Sequence, residues 1–471
     1  MRFRFLCLSA LSALSVQALI PLTTTSNRFV RPAIDAQNPG EEFVVVGVDY
    51  QIGGSSLYNP SGSTDVLTDA DVCLRDAFVL QQLGVNVIRV YALSPWLNHD
   101  ACMSIFNAVG IYVLLDVNNP YQALSRTDPA STYNEGYLNN VFGLIDAFKD
   151  YPNLMGFISG NEVVNDAQSA SICPQYVRAV QRDMKQYIQK HANRTDIPVG
   201  YAATDDDTRQ VMWEYLQCGD DVSKSDFYAL NSYDWCSARG DTYQTSGYDV
   251  IQTTYANSSI PTFFSEFGCN VGGERTFTEV YEGIYADLLQ SLSGGLVYEF
   301  SNDANDYGLV NVSSNGDVYL LPDFGTLQAA YNKITLPNVN QNSIPSYSAP
   351  SCSASLITSL DSNFQSNFTL PPCPAPDMLE NGGGNTNIGK IIPLNSTQTT
   401  YNIYNVNGEQ ISDTAITVDS NNEINSPNGT DTNSDKAATT SASSSKSKNG
   451  AAIYESSGLV VAIFAALISF V

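Results

Sequence analysis

The sequence predicts an α/β protein built as a (β/α)8 TIM barrel, and three observations point there. Eight short apolar runs recur between residues 43 and 300, most of them separated by segments whose apolar residues have helical spacing. Two of the runs end on a glutamate: Gly156-Phe157-Ile158-Ser159-Gly160-Asn161-Glu162 and Thr262-Phe263-Phe264-Ser265-Glu266-Phe267-Gly268. The remaining runs also end in polar or aromatic residues, as expected where a barrel gathers its chemistry at the C-terminal ends of its strands.

Taken in order, Phe43 to Asp49 is a continuous apolar run, the mark of a strand covered on both faces. Asp71 to Leu83 carries Val72, Phe78, Val79 and Leu83 at helical spacing and stops at Gly84, a C-terminal cap. Val85 to Tyr91 is the second strand. A helix near Asp100 to Ala108 leads to the third strand, Ile111 to Asp116, and one from Tyr137 to Phe148 leads to the fourth, Leu154 to Ser159. Pro174 opens the helix that reaches His191, since its missing N–H costs nothing in a first turn. Ile197 to Ala202, Phe227 to Asn231, Thr262 to Glu266 and Gly295 to Phe300 supply four more strands, with a helix expected over Phe277 to Leu292.

Composition and the two ends place the chain outside the cell. The 471 residues carry a formal charge of −26, which repels phosphate backbones and argues against nucleic-acid binding. Met1 to Ala18 has Arg2 and Arg4, an apolar stretch and Val16-Gln17-Ala18, and reads as a secretory signal. At the other end, the small cluster at Asn449, a polar spacer and the apolar tail from Leu459 read as a GPI-attachment signal, with Asn449 the lipid acceptor and residues 450–471 removed. The signal takes Cys7 with it. The eight cysteines left have no metal-ligand spacing, so disulfides are expected and no metal. Sequons at Asn193, Asn257, Asn311, Asn367, Asn395 and Asn428 fit a secreted glycoprotein. The barrel is drawn over 19–336. A C-terminal extension over 337–418 is tied back in part through Cys352 and Cys373 and includes a flexible joint at the triple glycine 382–384. A Ser/Thr/Asn-rich stalk covers 419–449.

Two carboxylates at the tips of two different strands are what retaining glycoside chemistry needs. Glu266 is the candidate nucleophile and Glu162 the candidate acid/base, the first ionised at rest and the second protonated. Asn161 is placed to bond the sugar 2-hydroxyl. The polar and aromatic strand ends, Asp49-Tyr50-Gln51, Tyr91, Asp116-Val117-Asn118, Asp205, Asn231-Ser232-Tyr233 and Tyr298-Glu299, would line a groove for a sugar polymer. Tyr233 and Tyr298 either orient the nucleophile and stack on a sugar ring or simply pack. The Asp205-Asp206-Asp207 run lacks a calcium-loop frame and reads as a loop with one carboxylate toward substrate. His99 and His191 receive no catalytic role, and no cofactor is called for.

Six motifs in order then resemble the fungal cell-wall β-1,3-glucanosyltransferases, glycoside hydrolase family 72: Gly47-Val48-Asp49-Tyr50-Gln51, Arg89-Val90-Tyr91, Leu114-Leu115-Asp116-Val117-Asn118, Gly160-Asn161-Glu162-Val163-Val164-Asn165, Asn231-Ser232-Tyr233-Asp234-Trp235-Cys236 and Ser265-Glu266-Phe267-Gly268-Cys269. The resemblance implies a GPI-anchored, monomeric enzyme that cleaves β-1,3-glucan internally and passes the new reducing end to the non-reducing end of another glucan. It implies glucan contacts for Tyr91, Asn161, Asp205, Arg209 and Tyr298, to which the strand-end reading adds Asn118 and Tyr233, with Asp206 as the alternative to Asp205 because the loop before Arg209 is a residue short. It also implies Cys73–Cys102 and Cys236–Cys269 bridges. No cysteine follows Cys373, which matches the subgroup without a cysteine-rich carbohydrate-binding module.

Overall fold

The computed structural model describes residues 18–34, 39–418 and 423–427. The signal segment before Ala18, the sequon at Asn428 and the anchor site at Asn449 lie outside the described residues. Eight parallel strands close into a barrel in chain order: Val45–Asp49 (β1), Val87–Val90 (β2), Tyr112–Asp116 (β3), Leu154–Asn161 (β4), Val199–Thr204 (β5), Phe227–Asn231 (β6), Thr262–Phe267 (β7) and Gly294–Val297 (β8). Helices Ala70–Leu83 (α1), Asp100–Ala108 (α2), Glu135–Phe148 (α3), Pro174–His191 (α4), Arg209–Gln217 (α5), Tyr248–Tyr255 (α6) and Pro322–Tyr331 (α7) surround it. Gly84 caps α1 at φ 75° and Pro174 occupies the first turn of α4, as the sequence predicts.

Side-chain alternation along the strands decides what the barrel holds. Val45, Val87, Tyr112, Leu114, Met155, Phe227, Ala229, Phe263 and Leu296 form an apolar interior cluster in the lower part of the barrel. On the same face, Asp49 lies four residues beyond Val45, Arg89 two beyond Val87 and Asp116 two beyond Leu114, so the period of two that buries apolar side chains below sets charge above. Below, the opening is plugged by an antiparallel sheet of Thr23–Thr25, Arg28–Arg31 and Glu41–Phe43, which adds Leu22, Phe29 and Phe43 to the interior cluster. Phe43 thus belongs to this plug rather than to β1, because the strand breaks at Val44.

The expected helix over Phe277 to Leu292 is a wide π turn at Val280–Ile284 followed by a 3-10 turn at Asp287–Gln290. Gly283 lies under the rings of Trp235 and Tyr248, where a Cβ would come within 2.8 Å of Trp235, so the segment spreads around the two rings.

The C-terminal extension is a belt. It crosses the plug sheet through Val339 and Tyr347, then runs back over the outer helices in reverse order. Cys352 bridges to Cys218 after α5, Pro371 accepts from Arg182 of α4, and Asn385 donates to Gly143 of α3 at 2.9 Å. Lys390 and Ile392 donate to Asp100 and Ser104 of α2, and Thr417 exchanges hydrogen bonds with Gln81 of α1. The triple glycine is not a free joint in this path: Gly383 donates to the Tyr187 hydroxyl at 2.7 Å and lies beside Phe142 and Tyr187, whose rings stack on each other. Ile403–Tyr404 adds a strand to the hairpin of Val310–Val312 and Val318–Leu320. Residues 423–427, which the sequence assigns to the stalk, dock at the bottom of the barrel, with Asn425 buried and bonded to Val85 and Gly110.

Cys73–Cys102 and Cys236–Cys269 are bridged as the resemblance implies, and Cys218–Cys352 is a third bridge; Cys173 and Cys373 are free thiols. Because Cys218–Cys352 spans 134 residues and pins the start of the belt, removing it with Cys218→Ser and Cys352→Ser should cost about 4 kcal/mol, read from denaturant unfolding. The asparagines at 193, 257, 311, 367 and 395 are all exposed and accessible to a glycan.

Candidate active site

The site is assembled at the C-terminal mouth from strand ends that the barrel forces together. Arg89, fully buried on β2, is its centre. Its guanidinium binds Asp116 of β3 through two bonds (2.8 and 3.2 Å), Glu266 of β7 at 3.0 Å and the Asn161 side-chain oxygen of β4 at 2.9 Å. Glu266 receives two further hydrogen bonds, from the Tyr91 hydroxyl at 2.9 Å on Oε1 and from Tyr233 at 2.7 Å on Oε2. Three donors on one carboxylate fix its rotamer.

Glu162 follows β4 with a left-handed backbone, φ 49°, a conformation a non-glycine residue holds only where its surroundings enforce it. Asn231 donates to Glu162 Oε1 at 2.7 Å and to the Asn161 oxygen at 3.0 Å, and is itself oriented by Ser265, which donates to its Oδ1 at 2.8 Å. A continuous path therefore joins the two glutamates: Glu266, Arg89, Asn161, Asn231, Glu162. Burial first, and then the negative charge of Glu266, raise Glu162 above the ordinary carboxylate range; the Asn231 bond and the positive charges of Arg126 and Arg89 oppose this without reversing it. Gly268, two residues beyond Glu266, takes φ 113° and turns the chain out of β7, a conformation that favours glycine.

The substrate-facing candidates are distributed around this pair. Tyr91, Tyr233 and Tyr298 form an edge-to-face group with Tyr307, ring centroids 5.4 to 6.4 Å apart. The Cys236–Cys269 bridge ties the loop that carries Tyr233 to the chain just beyond β7, which carries Glu266. Asp205 pairs with Arg209 and accepts from Ser232, whereas Asp206 caps the turn at Thr208. Asn118 is committed within the protein: it donates to the Ser159 carbonyl and accepts from Tyr137 at 2.8 Å, bracing the ends of β3 and β4. His99 bonds Asp65 and His191 bonds the Leu379 carbonyl, both remote from the glutamates.

Arg89 and Tyr307 complete the site without having been given a role from the sequence, and Asp116 and Asn231, expected only as groove-lining strand ends, prove to brace the glutamates, Asp116 through Arg89 and Asn231 directly. The signal for Arg89 was present: a charge inside the buried strand Val87-Ile88-Arg89-Val90 needs partners on the inward face. Tyr307 sits in a loop and gave no such signal.

Two more buried carboxyls ring the barrel. Burial pushes both Glu279 and Glu299 up to about 7. A carboxyl raised in the folded state holds its proton more tightly there than in the unfolded chain. The stability it contributes is complete below the unfolded value near 4.5 and is lost as pH rises through about 7. The melting temperature should accordingly fall between about pH 5 and pH 8, and Glu279→Gln should flatten that fall.

Comparison with known proteins agrees with this geometry. The chain is 47% identical over 447 residues to the probable 1,3-beta-glucanosyltransferase GAS3 of Saccharomyces cerevisiae, covering 90% of this chain and 85% of that protein. It is 45% identical over 425 residues to 1,3-beta-glucanosyltransferase gel2 of Aspergillus fumigatus, covering 88% and 86%. Among solved structures it is similar to a mutant of Gas2p from Saccharomyces cerevisiae in complex with laminaritetraose and laminaripentaose, with a TM-score of 0.66 and 35% identity over 76% of each chain. Residues 11–335 match the glucanosyltransferase family model, and the chain belongs to that family, glycoside hydrolase family 72.

Proposed function

We propose that this chain is a retaining 1,3-β-glucanosyltransferase acting on β-1,3-glucan as both donor and acceptor. The observation that carries the reading is the bonded path from Glu266 through Arg89, Asn161 and Asn231 to Glu162, which brings the two carboxyls to the same mouth. Glu266 attacks the anomeric carbon while Glu162 gives its proton to the departing glycosidic oxygen, leaving a glycosyl-enzyme. Glu162, now ionised, takes the proton from a hydroxyl at the non-reducing end of a second glucan, whose oxygen displaces Glu266 and re-forms the β linkage. Asn161 accepts two protein hydrogen bonds on its oxygen, which orients its amide donors for the sugar 2-hydroxyl. The tyrosine group, Asp205 and Arg209 supply further glucan contacts.

Incubating the protein with a reduced β-1,3-glucan oligosaccharide should give products longer than the substrate. Products that are only shorter would make it a hydrolytic endo-β-1,3-glucanase. Because Glu162 must carry its proton for the first step, activity should persist above the ordinary carboxylate range and be lost as pH rises through the raised Glu162 value, read as kcat/KM against pH.

The same reading includes secretion, N-glycosylation and a lipid anchor at Asn449, with the enzyme held as a monomer at the outer face of the plasma membrane or in the wall. Among the described residues no helix is long and apolar enough to cross a membrane. Release from intact cells by a phosphatidylinositol-specific phospholipase would support the anchor, and retention in an Asn449→Gln variant would count against that acceptor site.

A further inference from the structure

At the C-terminal end of β1, Asp49 is fully buried and neither of its carboxyl oxygens has a hydrogen-bond partner among the described residues. The groups around it are bonded elsewhere. Arg89 gives its donors to Asp116, Glu266, Asn161 and the Ser265 carbonyl, and none to Asp49. Tyr91 has one hydroxyl proton, and it goes to Glu266. The charged and titratable groups facing Asp49 come from every neighbouring element: Arg89 and Tyr91 at β2, Asp116 on β3, Tyr233 after β6, Glu266 on β7, Tyr298 after β8 and Tyr331 on α7.

Three ionised carboxylates around the single Arg89 guanidinium would leave an excess of two negative charges in a site closed to water, whereas a neutral Asp49 leaves one. Burial drives Asp49 toward its neutral form; Arg89 and the Tyr91 hydroxyl pull the other way, while Glu266 and Asp116 add to the effect of burial, and the balance lies well on the neutral side. Asp116 and Glu266 are the two carboxylates that hold the guanidinium, so the proton falls to the one that does not.

We propose that Asp49 is a positioning residue for the nucleophile: as a neutral acid it leaves Arg89 and the single Tyr91 proton committed to Glu266, and on ionising it competes with Glu266 for both. The inference rests on Glu266 being the nucleophile. It adds a second alkaline event to the loss of the Glu162 proton, so the alkaline limb of activity is steeper than one ionisation makes it.

The test compares the wild type with Asp49→Asn, which cannot ionise. In the infrared difference spectrum near neutral pH, the signal lost on substitution should lie in the carbonyl region of a protonated carboxylic acid. On the alkaline side, kcat/KM for a reduced β-1,3-glucan oligosaccharide should fall with about two protons in the wild type and about one in Asp49→Asn. A lost signal in the ionised-carboxylate region, or a limb equally steep in both proteins, overturns the proposal. If Asp49→Asn does not fold, carbon-13 labelling of the aspartate carboxyls in the wild type replaces it. A carboxyl carbon that stays at the protonated-acid shift near neutral pH supports the proposal, and the absence of one overturns it. The spectroscopic readouts do not depend on which residue attacks the sugar, so they stand apart from any failure of Glu266 as nucleophile.

Discussion

Glu266→Gln should leave a folded protein that turns over β-1,3-glucan about four orders of magnitude more slowly, or not at all. The substitution keeps the shape of the side chain, and its amide oxygen can still accept from Arg89 and Tyr91, while Tyr233 can turn its hydroxyl to accept from the new amide. Removing one negative charge from a site that also holds Asp49 and Asp116 relieves repulsion, so thermal stability should hold or rise. What is lost is the electron pair that forms the glycosyl-enzyme, and nothing else in the site can supply it: Glu162 is held apart on β4 by Asn231, and Asp116 is bound by Arg89. Melting curves and product chromatography separate the two effects. Azide with an activated glucosyl donor adds a stereochemical check. In Glu266→Gln it should yield a product of inverted configuration, whereas in Glu162→Ala it should yield one of retained configuration. Full activity in Glu266→Gln would remove the mechanism. Glu266 is also the largest nearby charge raising Glu162, so the Glu162 carboxyl should titrate lower in the variant.

The barrel was legible because its strands announce themselves twice, by their apolar runs and by the polar residues at their ends. Glu162 and Glu266 could be read from Gly-Asn-Glu and Ser-Glu-Phe-Gly because an acidic residue at the end of a buried strand has few places to go but a cleft. The network between them was not legible in the same way. That Asn231 bridges the two halves of the site depends on β6 lying between β5 and β7 and on a register shift in β7 between Phe264 and Glu266, neither of which a strand's own residues state. The belt is legible only in part, for a related reason. Its Asn, Thr and Gly residues look like linker composition, yet they act by giving backbone-like hydrogen bonds to helix surfaces, as Asn385 does to Pro95 and Gly143, or by fitting where a side chain would clash, as Gly389 does against Tyr151. Composition alone cannot tell a chain that water solvates from one that a folded surface solvates.

Arg89→Met should be the most destabilising single change in the site, about 3 to 5 kcal/mol in urea unfolding at neutral pH, with activity lost as well. A buried ion pair adds little net stability when both partners are present, because desolvating them offsets their attraction. Removing only the cation is different: Asp116 and Glu266 stay buried, lose three hydrogen bonds between them and the guanidinium's charge, and face each other and Asp49 with no counter-charge. Part of the loss should therefore return in the double variant Arg89→Met with Asp116→Asn, which removes one orphaned charge, and it should return more fully as pH is lowered and the carboxyls take up protons. Activity should return in neither case, since Glu266 still lacks the donor that fixes it and Asn161 still lacks one of the two bonds that orient its amide. If instead Arg89→Met melts like the wild type, the charges at the mouth are solvated in solution, and the dry network that separates the two glutamates in role would not hold.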